Sequence, residues 1–166
     1  GTKPIHIMTT EERNKVVQLD DYVIDLGLKK KDVEKYVSIG NSVTRDRECI
    51  EMGDCINSKS LDNRISVYIL IETLRALKGK KVPHDIYAAF TVQEEVGLRG
   101  ATMIANRIKP NVALVTDVTH DTGTPLVNEV RHGAVACGKG PSLTYAPAVH
   151  NKLLELIEDT ADKKKI

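Results

Sequence analysis

Four carboxylates in this sequence stand at positions where they could act together: Asp62, Glu94, Glu95 and Asp117. The glutamate pair and Asp117 each follow directly on an apolar run of strand length, and Asp62 opens a segment with helical spacing of apolar residues. Ligands of open α/β sheets bind outside the carboxyl ends of the strands. The positions therefore predict that the four acids converge on one rim of a sheet.

A cation would explain such a cluster, because neighbouring carboxylates repel one another unless their charge is compensated. Oxygen ligands of this kind suit zinc, manganese, cobalt or magnesium. A bound metal ion also acidifies its water, which gives a hydroxide-like nucleophile near neutral pH. One member of the adjacent Glu94 and Glu95 pair could then bind metal while the other acts as general base.

Each acid also has an ordinary structural interpretation. Asp62 could be the N-cap of the helix that follows it, a common use of aspartate that is worth about 1 kcal/mol. The glutamate pair could be a solvated loop feature, although Gly97 and Gly100 suit a tight backbone approach just after it. Asp117 could accept backbone N–H bonds at a strand end. The joint placement of the acids, rather than any one of them, carries the prediction.

The elements that would position these acids alternate from residue 62 onward. Helical patterns cover residues 62–77, 98–107 and a last segment from about Pro147 to 163. Apolar runs of strand length occupy residues 85–92, 112–116 and 133–137. The last helix is predicted to bury Val149, Leu153, Leu156, Ile157 and Thr160. This alternation predicts an α/β fold with a mixed, largely parallel sheet flanked by helices.

The first third of the chain has a different pattern, with short apolar segments separated by turn residues. It favours strands at 22–27 and 41–44, a short helix at 31–37 and a hairpin at 49–56 that turns at Gly53. This β-rich part is small and could not easily bury a core by itself.

The composition is that of a globular protein, with 41% hydrophobic and 28% charged residues, and it excludes disordered, collagen-like and coiled-coil chains. The net charge of +1 provides no basic surface for nucleic acid or membranes. No apolar run approaches the roughly 20 residues of a transmembrane helix. Cys49, Cys55 and Cys137 form no Cys-x-x-Cys pair, which argues against a disulfide framework. We therefore expect a cytoplasmic protein without nucleic-acid or membrane partners.

Three motifs resemble the glutamyl/deblocking aminopeptidase family, the dinuclear metallopeptidases that include the tetrahedral aminopeptidases and some proteins labelled endoglucanases. They are Ser-Leu-Asp-Asn-Arg at 60–64, Phe-Thr-Val-Gln-Glu-Glu-Val-Gly-Leu-Arg-Gly-Ala at 90–101 and Asp-Val-Thr-His at 117–120. Gly-Lys-Gly-Pro at 138–141 also matches, and a weaker similarity extends back to residues 23–27 and to Gly-Thr-Lys-Pro at 1–4. The resemblance in effect covers the whole chain.

The resemblance implies a role for each acid. Asp62 would bridge two divalent metal ions, zinc or cobalt, while Glu95 and Asp117 would each bind one ion as terminal ligands. Glu94 would be the general base. The implied reaction is hydrolysis of N-terminal residues from peptides by a water held at the dinuclear centre, with Glu94 taking and then returning a proton.

The resemblance also implies domains and partners. Residues 1–57 would be part of a β-rich insert domain that mediates dimerisation, and residues 58–166 part of the α/β catalytic domain. Peptide substrates and a homo-oligomer follow from the same resemblance.

The family uses two further histidine ligands, one before the insert domain and one near the C-terminus, and this sequence matches neither motif. The five histidines lie elsewhere, at His6, His84, His120, His132 and His150. The chain is therefore expected to be a middle fragment of the enzyme that by itself binds metal weakly and shows no appreciable activity. A non-catalytic assembly or regulatory fragment is one alternative. A glycoside hydrolase is another, disfavoured because the chain has no Trp and one Phe for a sugar platform.

Overall fold

The computed structural model describes residues 3–166, so Gly1 and Thr2, where the Gly-Thr-Lys-Pro match begins, lie outside the described residues. The chain divides into two units, the first ending at Asp46 and the second running from Arg47 to Ile166. The domain boundary after Asn57 stays a prediction.

The first unit contains only short helical segments among its described residues. They are two 3₁₀ turns, Ile5–Ile7 and Leu19–Asp21, and the helices α1 (Thr10–Asn14) and α2 (Lys30–Val33). Thr9 and Glu12 form a capping box at the start of α1, each side chain accepting from the backbone N–H of the other residue. The helix predicted at 31–37 is present as α2 but is shorter.

The second unit begins with the predicted hairpin. Strands β1 (Ile50–Met52) and β2 (Cys55–Asn57) pair antiparallel, with Ile50 opposite Asn57. The turn between them places Gly53 at φ +61°, in the left-handed region that glycine tolerates best.

Four helices follow: α3 (Leu61–Leu77), α4 (Arg99–Ile108), α5 (Glu129–His132) and α6 (Asn151–Lys164). The helices α3 and α4 confirm the predictions from apolar spacing. The last helix begins at Asn151 rather than near Pro147, because His150 serves as its N-cap. The Nδ1 atom of His150 accepts a hydrogen bond from the Leu153 N–H at 3.3 Å.

The predicted parallel sheet is not formed by the described residues. Segments 22–27, 41–44, 85–92, 112–116 and 133–137 take part in no strand ladder. An apolar run shows which residues favour a strand, but a strand exists only when a neighbour satisfies its N–H and C=O groups. In residues 3–166 the α/β character therefore comes from the helices and the β1–β2 hairpin.

Burial is greatest on α3 and α6. Leu154 is 4% exposed and Ser66 is 7% exposed. On α6, Leu153 and Ile157 are half-buried beside Leu154, so the buried face runs through these positions. Within residues 3–166, no helix has both the length and the hydropathy of a membrane span.

Three of the five positions predicted to be buried in or beside the last helix are exposed. The predictions for Val149, Leu156 and Thr160 are therefore wrong. Leu156 is 52% exposed because it points away from the face that contains Leu154.

Candidate functional site

Asp62 lies in the first turn of α3, where the backbone departs from helical geometry. Ser60 is left-handed at φ 60°, ψ 31°, and Asp62 is extended at φ −85°, ψ 108°. The carboxylate of Asp62 is exposed and accepts no hydrogen bond from the described residues. The N-cap interpretation of Asp62 is therefore wrong, and its oxygens are free for a ligand.

Asn63 instead caps the regular part of α3 and joins it to Asp117. Its Oδ1 atom accepts from the Ser66 N–H at 3.0 Å. Its Nδ2 group donates to Asp117 Oδ1 at 2.8 Å and to the Thr116 carbonyl at 3.3 Å. Asn63, the residue after Asp62, thus holds Asp117 through its half-buried side-chain amide. The two residues are 54 positions apart in the sequence.

Asp117 is oriented by hydrogen bonds to only one of its oxygens. Oδ1 accepts from Asn63 and also from the Val118 N–H at 2.8 Å. Oδ2 has no hydrogen-bond partner among residues 3–166. A carboxylate held on one oxygen and open on the other presents a fixed lone pair to a cation or a proton donor.

Glu94 and Glu95 lie on a tight turn that leads into α4. The Glu94 carbonyl accepts from the N–H groups of Gly97 at 3.1 Å and Leu98 at 3.0 Å. Gln93 at φ 59° and Leu98 at φ 55° flank the turn in the left-handed region, which is unfavourable for residues with a side chain. Such backbone conformations cluster at functional sites.

Gly100 fixes how closely the start of α4 approaches the chain before the glutamates. Its N–H donates to the Val92 carbonyl at 3.0 Å. A Cβ atom at this position would lie 2.5 Å from Val92 O and 2.6 Å from Val92 N. The close approach expected at Gly100 is therefore present, and only glycine fits there.

Asn63, the neighbour of Asp62, contacts Asp117, but within residues 3–166 no contact joins the side chains of the four acids to one another. The Asp62–Asn63 turn and Asp117 are joined through the Asn63 amide. Glu94 and Glu95 are exposed, and across residues 3–166 their carboxylates form no ion pair or hydrogen bond. In the same range, no three His, Cys, Asp or Glu side chains gather at the spacing of a metal site. The convergence of all four acids stays a prediction.

Asp121 is not among the site residues predicted from the sequence, yet it organises the chain beyond Asp117. Its Oδ2 accepts from the Cys137 N–H and its Oδ1 from the Gly123 N–H, both at 2.7 Å. These bonds, that from Cys137 first, lower the pKa of the Asp121 carboxyl below its usual range. The Asp-x-Gly spacing at 121–123 signals the local turn, but nothing in the sequence identifies residue 137 as the second donor.

A cavity of about 240 Å³ lies beside Asp117. It is lined by Asp117, Thr119 and Asp121 and by the segments 135–138 and 140–142. Polar and apolar groups both face it, so it could accept part of a small polar molecule beside Asp117.

Comparison with known proteins places these residues in context. The model of the M42 glutamyl aminopeptidase family matches residues 1–166. A protein of Acetivibrio thermocellus assigned as an aminopeptidase is 36% identical over 159 residues, which are 93% of this chain and 47% of that protein. The lysyl aminopeptidase of Pyrococcus furiosus is 37% identical over 111 residues, 64% of this chain and 29% of that enzyme.

The glutamyl aminopeptidase of Lactococcus lactis is 31% identical over 116 residues, 69% of this chain and 32% of that enzyme. The chain thus spans about half of the first of these relatives and about a third of the other two. No solved structure gives a significant match. Because the family model covers every residue, the chain belongs to the M42 glutamyl aminopeptidase family.

Proposed function

We propose that this chain supplies part of the active site of a metal-dependent aminopeptidase that releases N-terminal residues from peptides. The observation that carries the proposal is the bond from Asn63, the neighbour of Asp62, to Asp117 in a chain of an aminopeptidase family. The names of two relatives, glutamyl and lysyl aminopeptidase, are consistent with peptide substrates.

The donor atoms fit divalent metal ions, because carboxylate oxygens bind zinc, cobalt and similar cations. Asp62, Glu95 and Asp117 would hold two such ions, which when bound supply the Lewis acidity that polarises a peptide carbonyl and acidifies water. The open oxygens of Asp62 and Asp117 favour this assignment.

The remaining chemistry belongs to side chains of the protein. Glu94 would take a proton from the attacking water and return it to the leaving amine, as a general base and then a general acid. The two backbone bonds to the Glu94 carbonyl hold the turn that carries this side chain. Asn63 would keep Asp117 in one orientation during turnover.

The proposed function requires a sheet that brings the acidic positions together. We expect residues 85–92 and 112–116 to pair as neighbouring strands in the complete catalytic domain, which would bring the glutamate turn beside Asp117. The contact of Gly100 with Val92 supports this arrangement, because it fixes the direction in which the chain leaves segment 85–92. Residues 1–57 would belong to the insert domain of a cytoplasmic homo-oligomer.

Hydrolysis of aminoacyl p-nitroanilides tests the function. The protein is expressed from its complete reading frame and assayed with glutamyl, lysyl and leucyl substrates, each beside its N-acetylated form. We expect turnover of at least one free-amine substrate, loss of turnover after a chelator and recovery with zinc or cobalt. No turnover under any metal condition would contradict the proposal and favour the non-catalytic alternative.

A further inference from the structure

The segment 135–142, which contributes to the cavity lining, is attached to the chain after Asp117 by a small set of polar contacts. Two hydrogen bonds join Thr122 to Val135. The Thr122 N–H donates to the Val135 carbonyl at 2.8 Å, and the Val135 N–H donates to Thr122 Oγ1 at 2.9 Å. Asp121 adds the bond from the Cys137 N–H at 2.7 Å. Beyond Cys137 the chain continues directly into the cavity wall at 138–142.

We propose that Asp121 is a positioning residue that holds the segment 137–142 in the wall of the cavity that Asp117 also lines, and so shapes the cavity for the bound peptide. This inference rests on the proposed aminopeptidase function. Asp121 lies four residues after Asp117, and its two oxygens are each taken by one backbone N–H, from Gly123 and from Cys137. Its carboxylate therefore connects two backbone segments and is not itself a catalytic residue.

The chemistry of the side chain explains why aspartate suits this position. A carboxylate can accept on both oxygens at once, whereas asparagine offers one acceptor oxygen and turns an NH₂ group toward the other N–H. An asparagine side chain here could therefore keep the bond to Gly123 or the bond to Cys137, but not both. The lowered pKa of Asp121 agrees with two N–H donors that favour the ionised form.

Loss of Asp121 should affect substrate binding more than the chemical step. Asp117 is held independently, by Asn63 and by its own neighbour Val118. Loss of Asp121 would therefore remove the bond at Cys137 and loosen the cavity wall that follows it, while leaving Asp117 and the Thr122–Val135 bonds in place. A looser wall weakens substrate binding more than it slows a bound substrate, so KM should rise while kcat changes little.

The experiment compares Asp121→Asn and Asp121→Ala with the wild type, all expressed from the complete reading frame. The matched control is Asp159→Asn, because Asp159 lies exposed on α6 and its side chain has no partner among residues 3–166. The measurements are kcat and KM on the best p-nitroanilide, and hydrogen exchange of the peptide that covers 135–142. Exchange serves as a readout that does not depend on turnover.

We expect Asp121→Asn to raise KM on the order of ten-fold with kcat within about three-fold, together with faster exchange at 135–142. The control should match the wild type in both. If Asp121→Ala fails to fold, Asp121→Asn decides the question. An unchanged KM, or unchanged exchange at 135–142, in a folded Asp121 variant would overturn the inference. An inactive wild type whose Asp121→Asn form still exchanges faster would overturn the proposed function and, with it, the role in substrate binding.

Discussion

Asn63 shows how one neutral side chain can organise an acidic site. Its amide oxygen accepts from the helix N–H of Ser66, and its amide nitrogen donates to Asp117. Only an amide provides an acceptor and a donor at this position, since a carboxylate would repel Asp117 and a hydroxyl could not reach both partners.

We predict that Asn63→Ala lowers the free energy of unfolding by about 1–2 kcal/mol, because it removes a helix cap and the hydrogen bond to Asp117. Urea unfolding monitored by circular dichroism measures the change. Asn111→Ala is the matched control, since Asn111 is exposed and its side chain has no partner in the described part of the chain, and it should cost less than about 0.5 kcal/mol. Equal effects of the two variants would contradict the role of Asn63.

The sequence could predict which acids are candidates but not what orients them. Asp62 and Asp117 are recognisable because they sit beside strong helix and strand patterns and within family motifs. The roles of Asn63 and Asp121 depend on partners 54 and 16 positions away, and no local pattern encodes such distant contacts.

At the scale of elements, the approach of α4 to residues 91–93 depends on Gly100. We predict that Gly100→Ala displaces the start of α4, because the new methyl group would clash with the backbone O and N atoms of Val92. The expected loss is about 1–3 kcal/mol of stability, as for other overpacked sites. Thermal and urea unfolding give the measurement.

The matched control for Gly100→Ala is Ala101→Val, which adds bulk at the next, exposed position of α4. It should cost only a few tenths of a kcal/mol of helix propensity. A Gly100→Ala protein as stable as the wild type would show that the close approach to Val92 is not required.

Tyr145 lies in the loop before α6 and contacts this helix through its hydroxyl. The hydroxyl of Tyr145 donates to Glu158 Oε1, and this bond raises the pKa of Tyr145 above its ordinary value. The contact favours the folded chain below the ordinary tyrosine pKa of about 10 and is lost as the pH rises through the higher folded value.

We therefore predict that Tyr145, followed as the difference between the phenolate absorbance of the wild type and of Tyr145→Phe, titrates above the ordinary tyrosine pKa of about 10. Glu158→Gln should move this transition back toward the ordinary value, because a neutral amide does not repel the phenolate. A difference titration at or below the ordinary tyrosine pKa would contradict the contact.

Helices and the hairpin were predictable because their signals are local. The apolar spacing of α3, the Gly53 turn and the end of α4 before Pro110 all act within a few residues. The runs at 85–92 and 112–116 are different, since a strand needs a neighbour that the run itself does not specify. For α6, apolar spacing predicted the helix but neither its first residue nor its buried face. The helix begins after the cap at His150, and its buried residue is Leu154.

At the scale of the whole chain, large apolar side chains remain open to solvent in the segments predicted as strands. Leu114 is 67% exposed and Val115 is 88% exposed. We predict that the 166-residue chain expressed alone self-associates and binds a hydrophobic dye, because burying exposed apolar surface is favourable. Light scattering after gel filtration should give a mass above 18.3 kDa.

Val115→Lys should reduce this association more than Ile39→Lys, which changes an exposed apolar residue of the first unit. A monomer that binds no dye would show that the exposed surface is too dispersed to drive association.

We propose that Glu94 moves protons while Glu95 holds metal, and a matched pair of variants distinguishes these two roles. Glu94→Gln and Glu95→Gln are made in the complete reading frame, and kcat and bound metal are measured for each protein. We predict that Glu94→Gln lowers kcat by roughly 10²–10⁴-fold with its metal content unchanged, because it removes a proton acceptor and no ligand. Glu95→Gln should lose metal along with activity. Loss of metal in Glu94→Gln, with metal retained in Glu95→Gln, would contradict this assignment of the two glutamates.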